Sequence, residues 1–402
     1  MATTTETRVR DLAELIVRFG ANVQPGQIVA LGSEPGKETL TRAIAEVAYE
    51  AGAKFVDLRV FDVYLKRARA LHADPDTLGF VPPWYGKQVL ALGEERAARI
   101  GLSGPVAPHA MADVDPVLIG RDRLPSVAES TKVLTDMTTN WTIAPCPTPG
   151  WAELVHPDLE PAAALERLWD EVVHVCRLDE PDPVAAWTER MERLAAVAAR
   201  LDALELDELR LEGPGTSLRI GLLPSGRWRT GRLETVGGIV HAPNIPTEEV
   251  FTTPDPARVE GTVTATKPLF VAGTSIEGLR VRFEGGRAVE IDADKSPGTL
   301  RALAEHDDGA SRLGEVALVD RHGRIGPLGT IFYDTLLDEN AASHIALGAG
   351  LSFAVGDKED LNRMNDSEIH IDFMIGSNEV DVTGLTRAGD EVALLRGGEW
   401  QV

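Results

Sequence analysis

The sequence predicts two domains of different fold class: an N-terminal α/β domain with a mostly parallel sheet over residues 1–205, and a C-terminal, mostly antiparallel α+β domain over residues 206–402. Three observations support this division. A chain of 402 residues exceeds the usual size of one domain. The first half alternates helical and strand patterns, whereas the second half consists of short alternating strands separated by glycine and proline turns.

The N-terminal half contains a strand–helix–strand unit. Glu38–Glu50 repeats apolar residues at helical spacing, between short apolar runs at 27–31 and Phe55–Val60. This order is typical of parallel strands covered by helices. A long amphipathic helix predicted over Trp187–Leu204 marks the end of the domain.

The pattern of the C-terminal half predicts hairpins and short strands. The run Glu284–Arg287 contains two glycines between alternating segments, which predicts a hairpin turn. Glu315 leads directly into an apolar strand, and we expect the segment that opens at His344 (HIALG) to be helical.

Composition excludes several classes of partner. Acidic residues outnumber basic ones, 63 against 40, so the chain lacks the basic surface that nucleic acids or an anionic membrane require. No apolar run is long enough to span a membrane, and none follows the polar segment Met1–Arg10, so we expect a cytoplasmic protein. Two cysteines cannot form a disulfide framework or a thiolate zinc site.

A histidine and an aspartate share one face of a predicted strand. His370 and Asp372 lie two residues apart within Glu368–Met374, and alternate residues of a strand project to the same side. Such a pair offers a nitrogen and an oxygen ligand to one metal ion. The alternative is the solvent-exposed face of an edge strand.

Other acids and histidines in the second half are weaker candidates. Glu248 and Glu249 are neighbours in an extended segment, so their side chains diverge and could serve different tasks, unless both are simply solvated. Burial of the Glu315 carboxylate would cost free energy unless it is paired with a cation or bound to a metal. His344 alone reads as a packed core residue, and His241 lies close in sequence to the acidic pair.

Together these residues supply enough nitrogen and oxygen donors for two divalent metal ions that share a carboxylate. Such a pair polarises a carbonyl group and lowers the pKa of a bridging water. A donor set without thiolates favours Zn, Co or Mn. A nearby carboxylate would then act as general base.

Several blocks of the chain resemble the thermophilic-type metalloaminopeptidases, peptidase family M29. They are NIPTEEVFTTPDPARVEGTV, LGEVALV, DENAASHIALG and HIDFMIGSNEVDVTG, with NVQPGQIVALGSE in the first half. The resemblance implies a set of metal ligands, with Glu315 as the candidate bridge: Glu249, Glu315, His344, His370 and Asp372. By analogy with other dinuclear aminopeptidases, Glu248 is the candidate general base.

The resemblance also implies a function: a cytoplasmic, homodimeric metalloaminopeptidase that removes N-terminal residues from short peptides. Leu351 stands where the family has a tyrosine at the metal centre, and leucine cannot donate a hydrogen bond. Tyr333 is a candidate to replace it, and His241 is a second candidate substrate-binding residue. Because Leu351 departs from the family pattern, two other functions stay open. The protein could be another dinuclear amide hydrolase with altered specificity, or a non-catalytic peptide- or metal-binding relative.

Overall fold

The computed structural model describes residues 5–122, 124, 127–271 and 274–402. The chain forms two compact units. The first comprises Met1–Thr188 and Arg232–Pro246, and the second Glu189–Gly231 and Thr247–Val402. The chain thus passes from the first unit to the second inside a long helix, whereas the sequence-based division was placed after that helix.

The first unit is built on a four-stranded parallel sheet, which confirms the predicted α/β class. The strands lie in the order β2-β1-β3-β4. Their bounds are β1 Ile28–Ser33, β2 Phe55–Val60, β3 Ala98–Ser103 and β4 Trp141–Pro145. A short hairpin, β8 Leu233–Glu234 and β9 Val240–His241, belongs to the same unit.

Helices alternate with these strands. They are α1 Thr5–Glu14, continued by wider π-helical turns over Leu15–Gly20, α2 Glu38–Glu50, α3 Val63–His72, α4 Pro83–Glu94, α5 Pro116–Arg121, α6 Ala128–Thr135, α7 Pro149–Val155 and α8 Pro161–Val175. The long amphipathic helix is α9, Pro183–Ala203. Its buried residues include Leu194 and Leu201, on the apolar stripe that predicted it.

The second unit contains an antiparallel eight-stranded sheet in the order β15-β14-β11-β6-β5-β19-β20-β21. The strands are β5 Leu206–Gly213, β6 Thr216–Leu222, β11 Pro254–Thr264, β14 Arg280–Glu284, β15 Arg287–Asp292, β19 Asp381–Thr386, β20 Glu391–Arg396 and β21 Glu399–Trp400. The predicted hairpin turn joins β14 to β15, with Gly285 and Gly286 at positive φ.

A five-stranded antiparallel sheet completes the second unit, in the order β18-β17-β16-β10-β7. Its strands are β7 Arg229–Thr230, β10 Glu249–Thr252, β16 Leu313–Val319, β17 His344–Gly348 and β18 His370–Met374. The helix expected at His344 is therefore wrong: HIALG is the buried strand β17. Both faces of this short run are covered, so its sequence lacks the alternation that distinguishes a strand.

Minor elements surround these sheets. They are the hairpin β12 Leu269–Val271 and β13 Thr274–Ile276, helices α10 Pro297–Ala304, α11 Thr335–Asp338 and α12 Lys358–Arg363, and 3₁₀ turns at Pro75–Thr77, Gly326–Leu328, Glu339–Ala341 and Ser352–Ala354. One apolar core fills the second unit between its sheets. Among the described residues, no helix is both long enough and apolar enough to cross a bilayer.

Candidate metal centre

Strand register places the five predicted metal ligands on one face of the five-stranded sheet. Residues directly opposite in an antiparallel pair share a face. Glu315 lies opposite Ala346, and Ala346 lies opposite Asp372. His344 is two residues from Ala346, and His370 is two residues from Asp372, so both project the same way. The small side chain of Ala346 leaves room between the two carboxylates.

Glu249 joins this face from the next strand. It is the first residue of β10 and lies opposite Val319, which is four residues from Glu315 along β16. An even spacing along a strand keeps both residues on the same side. The face that carries Glu249, Glu315, His344, His370 and Asp372 is called the donor face below.

The opposite face of the sheet belongs to the apolar core. Its buried residues alternate with the donors along the strands: Val250, Val316, Leu318, Ile345, Leu347, Ile371 and Phe373. A one-residue slip of any strand would exchange the two sets and bury a charge in this core. Packing of the apolar face therefore fixes the direction of the donors.

A β-bulge at Gly314 turns Glu315 toward the donor face. Leu313 pairs with Leu347, but Glu315 pairs with Ala346, so Gly314 is an extra residue in β16. Leu313 consequently packs in the core while Glu315, two positions on, points the other way. A side chain at Gly314 would overlap the backbone of Gly348 and Ala349, so only glycine fits there.

The donor atoms form two groups that share one member. Glu249, Glu315 and His344 each place a ligand atom within 4.8 Å of the others, and Glu315, His370 and Asp372 do the same. His344 Nε2 lies 3.1 Å from Glu249 Oε2. This arrangement has the form of two adjacent metal sites bridged by a carboxylate.

The imidazole rings are oriented as metal ligands usually are. His344 Nδ1 lies 3.1 Å from the carbonyl oxygen of Ala342, and His370 Nδ1 lies 2.9 Å from that of Ala349. An Nδ1–H that donates to a carbonyl leaves the Nε2 lone pair free for a cation. The donor chemistry therefore fits divalent metal ions.

Electrostatics also favour a cation at this face. Burial raises the pKa of Glu315, and the nearby Asp372 adds to the increase. Burial acts to lower the pKa of His344, but Glu249, Asp372 and Glu315 outweigh it and raise that pKa to about 10. Several carboxylates thus share a buried space, where a divalent cation would relieve their repulsion.

Glu339 is a further acid at this site that the sequence did not single out. Burial raises the pKa of Glu339 well above its usual range, and the charges of Asp372 and Glu249 raise it further. It lies in the 3₁₀ turn five residues before His344. The acidic start of the DENAASH block was a signal for it, but its position depends on how that turn packs.

Glu248 has different neighbours from the donors. Its side chain is fully buried, and Arg190 Nε donates to Glu248 Oε2 over 2.5 Å. Arg190 also contacts Asp320. The predicted divergence of Glu248 and Glu249 is seen, since Glu249 faces His344. The role of Glu248 as general base stays a prediction.

The two candidate substrate-binding residues also stay predictions. Tyr333 has a φ of 53° and packs edge-on against Phe270, with 5.7 Å between the ring centroids. His241 belongs to the first compact unit, where its ring centroid is 6.3 Å from that of Trp141. Leu351 is held through its backbone, because its N–H donates to Thr253 Oγ1 over 3.0 Å.

Two groups of nitrogen and oxygen donors that share a carboxylate are typical of metal-dependent hydrolases. A family model described as thermophilic metalloprotease (M29) matches residues 5–400, and the chain belongs to this family. It is 40% identical to aminopeptidase T of Thermus aquaticus, covering 97% of this chain and 98% of that protein. It is 36% identical to aminopeptidase 2 of Geobacillus stearothermophilus, with 98% of each covered.

A solved structure is similar throughout. Wild-type AmpT from Thermus thermophilus superposes with a TM-score of 0.92 at 39% sequence identity. The match covers 99% of this chain and 100% of that chain. The two chains therefore share the same fold.

Proposed function

We propose that this chain, a metalloaminopeptidase, releases N-terminal amino acids from short peptides with water activated by two divalent metal ions. The single observation that carries the proposal is the pair of donor groups joined at Glu315. Full-length identity of 40% to aminopeptidase T supports the reaction class. Two donor groups that have the Glu315 carboxylate in common offer enough ligands for two cations.

The residues divide into two ligand groups. Glu249 and His344 would hold one ion, His370 and Asp372 the other, and Glu315 would contact both. Zn, Co and Mn all suit this set of nitrogen and oxygen ligands. When bound, the ions supply Lewis acidity toward the substrate carbonyl and lower the pKa of a water molecule between them.

Glu339 is the group we place in proton transfer. The turn that carries it contacts β18, the strand of His370 and Asp372, and the charges of Asp372 and Glu249 raise its pKa, so its carboxyl group would lie near the metal ions. A general acid–base must reach the proton that it moves. Glu248, held by Arg190, is the second candidate for this role, as predicted from the sequence.

The acidic donor face suits the free α-amino group of a substrate. That group is cationic near neutral pH, and carboxylates attract it. An acyl group on the terminal nitrogen removes the charge, and with it the attraction to these carboxylates.

In keeping with the family resemblance, we further propose that the protein is a cytoplasmic homodimer.

The experiment is an assay of the metal-free protein after addition of Zn²⁺, Co²⁺ or Mn²⁺ separately. Its substrates are short peptides with free N-termini and the same peptides N-acetylated. We expect one or more metals to restore stepwise release of N-terminal residues from free peptides only. Cleavage of the acetylated peptides at a similar rate would instead indicate a different amide hydrolase, the alternative that Leu351 leaves open. Metal binding without turnover on any peptide would indicate a non-catalytic relative.

A further inference from the structure

A buried ionic triad includes Glu248, the residue directly before Glu249 and strand β10. Arg190 in α9, Glu248 and Asp320 are 8%, 0% and 7% exposed. Arg190 Nε lies 2.5 Å from Glu248 Oε2, and its terminal nitrogens lie 2.6 and 3.4 Å from the oxygens of Asp320. One planar guanidinium thus holds two carboxylates at once, which a lysine could not do in the same geometry.

The triad sits where the β10–β16 ladder ends. Glu249 and Val319 are the last residues paired there, and the next two positions outward are Glu248 and Asp320. Without Arg190, two buried carboxylates would stand opposite one another. Like charges in that arrangement repel, and more strongly in a buried environment than in water. Burial acts to lower the pKa of Arg190, but Glu248 and Asp320 raise it above its usual value.

A second contact fixes the same peptide. The backbone N–H of Glu248 donates to Asn340 Oδ1 over 2.6 Å, and Asn340 Nδ2 donates to the carbonyl of Leu336. Glu248 is therefore held by its side chain and by its backbone. Glu249 follows directly and points to the opposite side, so the contacts that hold Glu248 also fix the direction of the Glu249 side chain.

The triad has no evident value for stability alone. Removing three charged groups from water carries a large desolvation cost, and buried ion pairs are often no more stable than apolar replacements of similar volume. A geometric role explains the arrangement better. We infer that Arg190 is a positioning residue that aligns Glu249 for metal binding by clamping Glu248 and Asp320. This inference rests on the proposed function, because it takes Glu249 as a metal ligand.

The test compares Arg190→Met with a control, Arg363→Met, whose side chain is 42% exposed where that of Arg190 is 8% exposed. Arg363 also bridges two buried acids of the second unit, Asp255 and Asp360, but neither is next to a donor residue. The readout is calorimetric titration of each metal-free, full-length protein with Zn²⁺. We expect Arg190→Met to weaken one of two zinc sites by tenfold or more and leave the other unchanged. Arg363→Met should keep both sites at the wild-type affinity.

A third variant separates positioning from stability. The combination Arg190→Met, Glu248→Gln and Asp320→Asn leaves no stranded charge, so it should unfold at a higher temperature than Arg190→Met alone while one zinc site stays weak. Wild-type affinity at both sites in this variant, or in Arg190→Met, would overturn the inference. Equal loss in Arg190→Met and Arg363→Met would also overturn it. A wild-type protein that binds no zinc would contradict the proposed function instead.

Discussion

His370 Nε2 lies 3.1 Å from Glu315 Oε2 and 3.2 Å from Asp372 Oδ1, so one ring nitrogen faces two carboxylates. Its Nδ1 is already occupied by the carbonyl of Ala349. Glu315 in turn belongs to the neighbouring group with Glu249 and His344. The centre therefore depends on Glu315 more than on any other donor.

Substitution of the shared donor should affect both metals. In Glu315→Gln each donor group loses a charged ligand, so we expect metal content after dialysis to fall from about two ions per chain to near zero. Asp372→Asn removes a ligand from one group only and should retain about one ion. Elemental analysis of the dialysed proteins measures this. Equal metal content in the two variants would mean that Glu315 is not shared.

The bulge at Gly314 should be required for metal binding. Gly314→Ala places a methyl group against the backbone of Ala349, which forces the strand to shift and turns Glu315 away. We expect loss of metal together with a lower unfolding temperature. Gly298→Ala is the control, because its added methyl group has no atom within 4 Å other than those of its chain neighbours and its own helix backbone. If Gly314→Ala keeps both metals, the bulge does not aim the carboxylate.

The first unit should carry a pH-dependent stability that involves His241. Burial lowers the pKa of His241 from 6.5 to about 4, so the unfolded state binds a proton more readily than the folded state. Stability is then complete above about pH 6.5 and falls as the pH decreases toward 4, by at most about 3 kcal/mol. His241→Phe should lose this component, whereas substitution of the exposed His72 should not. Urea unfolding followed by tryptophan fluorescence at several pH values measures it. An unchanged pH profile in His241→Phe would contradict the expectation.

Two glutamates compete for the proton-transfer role, and their variants should differ. Glu339→Gln should keep both metals and lose roughly 100-fold or more in kcat, which is the usual range for a general acid–base. Glu248→Gln weakens the contact with Arg190, so it should chiefly reduce metal affinity. Steady-state kinetics with saturating metal separates the two effects. If Glu248→Gln retains both metals and loses turnover, the general base is Glu248, as the sequence predicted.

Much of the site could be predicted from local pattern. His370 and Asp372 alternate with apolar residues in one strand, so period two alone places them on one face. Glu315 at the start of an apolar strand was likewise visible. The strand at His344 was not, because its five residues are buried on both faces and give no alternation.

Other features depend on contacts between distant residues. Arg190 lies 58 positions before Glu248, and nothing in the sequence near either residue points to the other. Glu339 enters the site only through the packing of its turn, and the bulge at Gly314 is visible only as a change of register between β16 and β17. The periodicity of apolar residues along one segment does not indicate contacts between distant residues.

The most direct test of the account is a crystal structure of the protein soaked in Mn²⁺, with anomalous scattering used to locate the ions. We expect two peaks on the donor face, about 3.5–4 Å apart. One should contact Glu249 and His344, the other His370 and Asp372, with Glu315 bound to both. A single peak, or peaks away from these five side chains, would contradict the dinuclear centre.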